Sequence, residues 1–315
     1  MRKKIAITIG DPAGIGPEVV LKALAAPQVR DVCRPLIVGD RPVIERANEH
    51  LGVNLDLGAF DILSPGVIHQ KDFACGTATP AGGHAAVSSI KKAVELARLK
   101  IVDAITTAPI TKETLKLASY PWPGHTELLA ELTGARDYAM MLCGGPIRVI
   151  LVTIHTALSD VPRLITQERV FGTIRLALRA CAMLGLKDPR IAVAGLNPHA
   201  GESGLFGMEE QTAIEPAVEE AQGLGIPVSG PYPPDTLFHR MYQGEFDIAV
   251  CMYHDQGLIP LKMIAFDSGV NVTVGLPIIR TSPDHGTAYD IAWKGIANPQ
   301  SMIEAILLAA RLRTP

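Results

Sequence analysis

Phe246-Asp-Ile-Ala-Val-Cys-Met-Tyr-His-Asp-Gln-Gly257 decides how the rest of the chain is read. An apolar, strand-like run ends in a histidine, and the same event occurs twice more. Arg148 to Ile154 leads into His155, and Arg190 to Leu196 leads through Asn-Pro into His199. Short apolar runs bounded by turn residues fit strands of a buried, parallel sheet. If the three runs are neighbours in such a sheet, their carboxyl ends share one edge, which is where open α/β sheets place their ligands. A single histidine at a strand end is more often hydrogen-bonded structure than a ligand, but three in the same topological position reverse those odds. Gathered there, His155, His199 and His254 would form a divalent-metal site with an open position, so the chain reads as a metal-dependent enzyme.

Around that edge the chain has room for more than one core. At 315 residues it exceeds the size at which single cores stop growing, near ~250–300 residues, and two lobes are expected. The expected division is 1–125 with 285–315 as the lobe carrying a cofactor loop, and 126–284 as the lobe carrying the metal site and a dimer interface. A formal charge of −3 gives no electrostatic footprint for nucleic acid or an anionic membrane. The cysteines are far apart with no C-x-x-C pair, which fits reduced core thiols. No apolar run reaches the ~18 residues of a membrane span and no signal-like segment opens the chain, so a cytoplasmic location is expected.

Short β-branched runs alternate with longer helical stretches, the pattern of an α/β fold with mainly parallel strands. Strands are expected at Ile5 to Ile9, Pro35 to Val38, Ala104 to Thr107, Tyr138 to Leu142, Arg148 to Ile154, Ile191 to Gly195, Ile248 to Tyr253 and Val270 to Val274. Helices are expected at Pro17 to Ala25, Gly83 to Leu99, Thr166 to Leu184, Glu209 to Gln222 and Pro299 to Leu312. In the third of these, Val170, Ile174, Ala177, Leu178 and Cys181 form the stripe of a buried face. Asp61 to Gly82 is the least regular zone, either a mobile loop or an ordered surface connection.

Several motifs border the predicted strands. Gly10-Asp-Pro-Ala-Gly-Ile-Gly-Pro-Glu18 is a strand-turn-helix junction, with Pro17 suited to the first helical position and Glu18 to the positive helix end. It is neither a Rossmann fingerprint nor a P-loop, and a purely structural tight turn is an even alternative. In Pro123-Gly-His125-Thr126-Glu127, Thr126 is positioned to cap a helix, leaving N–H groups and the His125 imidazole for an anion such as phosphate. Asp235, in Pro233-Pro-Asp-Thr236, is the best carboxylate to join the histidines. This donor set suits Zn, Mg, Co or Mn, with zinc bonds of ~2.0–2.2 Å. Lys262 and Arg280 offer a point charge and a planar fork, suited to a carboxylate and a phosphate, and Asn271 sits beside the same apolar segments. Taken singly, each is better read as a solvated loop residue. Asp284 to Pro299 is a Gly-punctuated loop in which Asp290 suits ribose hydroxyls and Asn298 an adenine edge, against the plainer reading of a helix-capping loop.

Taken together, the chain resembles the 4-hydroxythreonine-4-phosphate dehydrogenase (PdxA) family over nearly its whole length. The matching stretches are Gly10 to Glu18, Gly124-His-Thr-Glu127, Asn197-Pro-His-Ala-Gly-Glu202, Pro234-Asp-Thr236, Met252-Tyr-His-Asp-Gln-Gly257, Gly269-Val-Asn271, Gly275-Leu-Pro277, Ile279-Arg-Thr-Ser282 and Asp284-His-Gly-Thr287. The opening turn and the stretch from His285 to Pro299 are also similar to the isocitrate and isopropylmalate dehydrogenases. The resemblance implies a two-lobed α/β fold of that kind, not Rossmann, with the active site at a homodimer interface. It implies that His155, His199 and His254 bind one divalent metal (Zn, Mg, Co or Mn), with Asp235 contributed by the partner subunit. It puts His125, Thr126, Lys262, Asn271 and Arg280 on the substrate, and NAD against His285, Asp290 and Asn298.

The implied reaction is oxidation of a 4-phosphorylated four-carbon 3-hydroxy acid by NAD, followed by loss of carbon dioxide from the β-keto acid. Lys262 is the candidate for proton transfer and Asp235 its catalytic companion. The substrate is either 4-phosphohydroxy-L-threonine, on the route to pyridoxal phosphate, or 4-phospho-D-threonate or -erythronate. Tyr120 to Leu129, Arg136-Asp-Tyr138 and Asp290-Ile-Ala-Trp293 look closer to the second branch. The alternative function is a metal-dependent phosphoester hydrolase using the same histidines, which would have no need of the Asp290 and Asn298 loop. A non-catalytic sensor of metal and phosphate lacks any visible output domain.

Overall fold

A computed structural model describes residues 2–68 and 74–314. In chain order the strands are β1 (Lys3–Thr8), β2 (Cys33–Val38), β3 (Asp61–Leu63), β4 (Ala104–Thr107), β5 (Ala139–Gly144), β6 (Ile147–Leu151), β7 (Ile191–Ala194), β8 (Val228–Tyr232), β9 (Ile248–Cys251), β10 (Val270–Val274) and β11 (Arg280–Pro283). The chain divides into two compact units, Met1–Arg136 with Leu276–Thr314, and Asp137–Gly275. The division falls at 136/137 and 275/276 rather than at 125/126 and 284/285. The His125–Thr133 helix contributes Leu128 and Leu129 to the core of the first unit, and β11 pairs with β4, so both segments belong there.

In the first unit the strand order is β3-β2-β1-β4-β11 and every pairing is parallel. Parallel strands are covered by helices on both faces, so they read as continuous apolar runs, and Ile5, Ala6 and Ile7 of β1 are all 0 % exposed. Each such isoleucine contributes roughly 1.5–3 kcal/mol by leaving water. The Pro80–Arg98 helix starts where Thr79 accepts from the Gly82 N–H at 3.0 Å, and Pro80 occupies its first turn without losing a bond it needs. It buries Ala86, Ile90, Ala93, Val94 and Ala97 against β1, β2 and β4. The strand order reverses between β1 and β4, and the carboxyl ends of those two strands therefore frame a ligand crevice. Gly10, at φ +69°, closes the end of β1 so tightly that an added Cβ would lie 2.4 Å from the Pro109 carbonyl oxygen, just beyond β4.

The second unit has the order β10-β5-β6-β9-β7-β8. β10, β5 and β6 pair antiparallel, while β6, β9, β7 and β8 pair parallel. Its core joins Leu142, Val149, Leu151, Ala192, Ala249 and Cys251 from the strands to Leu237, Leu258 and Leu261 from helices. The Gln167–Met183 helix, capped by Thr166, buries Val170, Ile174, Ala177 and Cys181, while Leu178 of the expected stripe stays half-buried.

The strands expected from the sequence are present within a few residues, and the differences have local causes. Glu209 to Gln222 is not one regular helix: Glu210–Ile214 forms a π turn before Glu215–Gly223, where Pro216 has no N–H to continue an α-helical ladder. His254 opens the His254–Ala265 helix, a segment that Gly257 and Pro260 disguise as a loop. The Arg41–His50 and Pro234–Tyr242 helices and strands β3, β8 and β11 are additional. Within the irregular zone from Asp61 to Gly82, residues 69–73 lie outside the described residues. No helix among the described residues is long and apolar enough to cross a membrane.

Candidate active site

The three histidine-bearing strands are neighbours, in the order β6-β9-β7, all parallel. His155 and His254 stand side by side at their carboxyl ends, with ring centroids 5.7 Å apart. The Asp255 carboxylate lies 2.7 Å from His254 Nδ1, a contact that fixes the orientation of the ring. Gln256 is buried and ties two strand ends together. Its Nε2 donates to the Gly195 carbonyl after β7 at 2.7 Å, and its Oε1 accepts from Met252 N–H after β9 at 2.7 Å.

His199 is held differently. His199, Ala200, Gly201, Glu202 and Ser203 all have positive φ, a left-handed turn that L-residues adopt only when their surroundings enforce it. The Glu210 carboxylate, 1 % exposed, anchors the chain just before that turn. It accepts the Leu196 and Asn197 N–H groups at 2.7 Å and the Asn197 side chain at 2.9 Å. The imidazole of His199 lies 3.3 Å from Glu202 Oε2 and edge-on to Phe206. Among the described residues no group of three or more His, Cys, Asp or Glu side chains is gathered to hold a metal ion. The structure thus brings His155 and His254 together and leaves His199 with Glu202. Asp235 is exposed in the first turn of the Pro234–Tyr242 helix.

Lys262 lies two turns along the helix from His254, and together with Asp255, Leu258, Ile259 and Met263 they line a shallow, open depression. Asn271, on β10, has a buried side-chain oxygen with no hydrogen-bond partner among the described residues. An acceptor buried without a donor costs about 1–3 kcal/mol, so this position gains from any ligand that donates to it.

In the first unit, His125 opens the His125–Thr133 helix, whose N-cap is Gly124 with no side-chain cap. Thr126 is therefore not the cap. It sits inside the first turn, 8 % exposed, and the helix N–H groups remain open to an anion. His125 Nε2 is buried and finds no partner among the described residues. Burial, and then the charge of Arg280, hold this imidazole well below its ordinary range, so it is neutral at physiological pH. Arg280, on β11, is 2 % exposed and donates from Nε and Nη2 to the Thr107 hydroxyl at 3.2 and 2.8 Å. Burial pulls its guanidinium down to about 9, which leaves it charged at neutral pH and favours an anionic ligand.

The segment from Asp284 to Asn298 has two sides. His285, Asp290 and Asn298 are exposed, and Asn298 also accepts the Gln300 N–H at 3.0 Å, so the capping role weighed for it is present. The other side rests on the junction that opens the chain. Ile15 N–H donates to the Thr287 carbonyl at 2.9 Å, Trp293 Nε1 to the Pro12 carbonyl at 2.9 Å, and Ala297 N–H to Glu18 at 2.7 Å. Lys22 Nζ reaches Glu18 at 2.7 Å and the Gly295 and Ala297 carbonyls at 2.9 Å. Glu18, placed by its sequence at a helix start, is 1 % exposed and works chiefly as an anchor for this segment. Asp11, 0 % exposed, accepts from Tyr289 at 2.5 Å and from Thr114 at 2.7 Å. Sequence reasoning passed over Asp11, Thr107, Thr114, Glu210, Gln256 and Tyr289. The one visible signal was that Asp11, Gln256 and Tyr289 fall inside stretches already singled out.

The first unit has a parallel sheet whose strand order reverses between β1 and β4, and the second has histidines at the ends of adjacent parallel strands, together an α/β fold. That fold is shared with a β-decarboxylating dehydrogenase from Thermococcus kodakarensis, at TM-score 0.55 and 19 % identity over 98 % of this chain and 82 % of that one. The chain belongs to the PdxA family, since residues 31–309 match the family model described as pyridoxal phosphate biosynthetic protein PdxA. A 4-hydroxythreonine-4-phosphate dehydrogenase of Desulforapulum autotrophicum is 49 % identical over 98 % of this chain and 95 % of its own length. A D-threonate 4-phosphate dehydrogenase of Cupriavidus necator is 46 % identical over 98 % of this chain and 97 % of its own. The crystal structure of a 4-hydroxythreonine-4-phosphate dehydrogenase from Burkholderia phymatum superposes with TM-score 0.88 at 46 % identity, covering 100 % of this chain and 99 % of that one.

Proposed function

We propose that this protein is an NAD- and divalent-metal-dependent dehydrogenase that oxidises and decarboxylates a 4-phosphorylated four-carbon 3-hydroxy acid, working as a homodimer. The observation that carries the reading is the pair of imidazoles, His155 and His254, side by side where adjacent parallel strands end, in a chain whose relatives are named for phosphorylated substrates of this size.

The donor set fits a borderline divalent cation: imidazole nitrogens, one ring with a carboxylate at its Nδ1, and no thiolate among them. His155, His199 and His254 would hold it, with Asp235 contributed by a second copy. A cation there would supply Lewis acidity toward the substrate's 3-hydroxyl and the carbonyl it becomes. NAD, against His285, Asp290 and Asn298, would supply the hydride acceptor. The protein's own residues account for the rest. His125, Thr126, the open helix N-terminus and Arg280 hold the phosphate and carboxylate charges, and Asn271 accepts a hydrogen bond from the substrate. Lys262 Nζ takes the hydroxyl proton on oxidation and returns a proton to carbon after carbon dioxide leaves.

An exposed apolar face supports the docking of a second copy. Ile259 and Met263 on the His254–Ala265 helix and Phe266 at its C-cap are 59, 83 and 75 % exposed, an apolar face next to Lys262. Covering it would also exclude water from the reacting groups. The hydrolase alternative leaves the Asp284 to Asn298 segment without a task and is set aside in a family of dehydrogenases.

The test is an assay of 4-phosphohydroxy-L-threonine and of 4-phospho-D-threonate and -erythronate with NAD and Zn, Mg, Mn or Co, following NADH and carbon dioxide together. Equal amounts of both products from one substrate are expected. No NADH from any of them under any metal would overturn the proposal.

A further inference from the structure

We propose that Asp11 and Tyr289 form a latch that sets the shape of the cofactor segment, making them positioning residues for NAD. The inference rests on the NAD reading above and adds to it a role for the opening junction, which bears no fingerprint for binding the nucleotide itself. Asp11 lies just beyond β1 and Thr114 in the Lys112–Leu117 helix that follows β4, β1 and β4 being the two strands between which the order reverses. Tyr289 arrives at that crevice from a segment 278 residues away in sequence, and both hydroxyls donate to one oxygen of a carboxylate that is 0 % exposed. The other carboxylate oxygen accepts the Ala13 N–H at 2.9 Å, so Asp11 is fixed from its own turn.

The segment needs such fixing. Ala288 and Trp293 have φ of +42° and +63°, conformations that L-residues hold only when neighbours impose them. Gly14 lets Thr287 approach so closely that an added Cβ would lie 2.9 Å from the Thr287 Cβ. Burial and then the Asp11 carboxylate push the Tyr289 phenol up, so it stays a donor across the working range. With the inward side chains locked, His285, Asp290 and Asn298 face outward in one arrangement before any ligand arrives, which lowers the ordering cost of binding.

The test compares wild type, Y289F and D11N by the KM for NAD, the KM for substrate, the thermal midpoint, and NADH binding followed through Trp293, which lies in the segment. Removing one hydrogen bond to a buried carboxylate should raise the KM for NAD and the Kd for NADH about tenfold in Y289F. The substrate KM should stay within about twofold, and the midpoint should move by no more than about 2–4 °C. D11N combined with Y289F should bind NADH no more weakly than D11N alone, because both remove the same contact. Should D11N fail to fold, Y289F, which keeps the ring, carries the test alone. An unchanged KM for NAD in Y289F would overturn the latch, as would a parallel rise in both KM values with a falling midpoint. A wild-type protein that binds no NADH would instead overturn the NAD reading, and the latch with it.

Discussion

The two units treat their candidate ligand edges in opposite ways. In the first, several polar groups are tied down by the protein itself, His125 Nε2 being an exception: Arg280 on Thr107, Tyr289 and Thr114 on Asp11, and Lys22 and Ala297 on Glu18. In the second, His155 and His254 meet, while His199 sits in a left-handed turn against Glu202 and Phe206. An edge made of hydrogen-bonded anchors stands ready for an anion, because its cost was met when the chain folded. An edge made of imidazoles would, under the proposed function, be completed by a cation. The contrast predicts that damage to the second edge will track metal affinity and damage to the first will not.

The largest effect is expected at the paired rings. Replacing His254 with Ala should cut metal affinity and turnover by well over 100-fold, beyond the loss typical of groups that merely support a ligand. Excess Zn or Co should restore part of it, and a His254→Ala protein with unaltered metal content would break the comparison. Next comes Arg280→Met, where losing a buried charged partner of an anion costs about 2–5 kcal/mol, or some 30- to 4,000-fold in kcat/KM. Excess metal should not rescue it; rescue would show that the two edges are not separable.

A smaller loss, about 10- to 100-fold in metal affinity, is expected for Asp255→Asn, which leaves the His254 ring in place but weakens its orientation. Loss of turnover without loss of metal would place Asp255 in some other role. The smallest effect concerns pH. The folded pKa of His125 is lowered, so below about pH 6.5 the unfolded chain takes up a proton that the folded one refuses. Stability therefore falls as pH falls through that window, and His125→Gln should flatten the slope of thermal midpoint against pH between about pH 7 and 5. Identical slopes in the two proteins would remove His125 from its buried, neutral setting.

Much of this was legible in the sequence because burial leaves a periodic trace. The runs ending in His155, His199 and His254 announced strands by their apolar continuity, whereas their adjacency entered only as a condition, which the order β6-β9-β7 meets. Arg280 could be flagged only as an odd charge near apolar residues, since nothing local shows that it lies inside β11. The Asp11–Tyr289 contact joins the two ends of the chain, and periodicity carries no information about which polar groups pair over that distance. His199 was placed at the right strand but not in the right turn. Within its left-handed run Gly201 is the only residue whose type permits that backbone freely, and the buried Glu210 that anchors the chain just before the turn lies on another element.

The most direct measurement is a crystal structure of the protein grown with zinc. The account predicts one ion with the imidazoles of His155, His199 and His254 all at about 2.0–2.2 Å, His199 having left Glu202 to join the pair. An ion held elsewhere, or no ion with His199 still against Glu202 and Phe206, would contradict it.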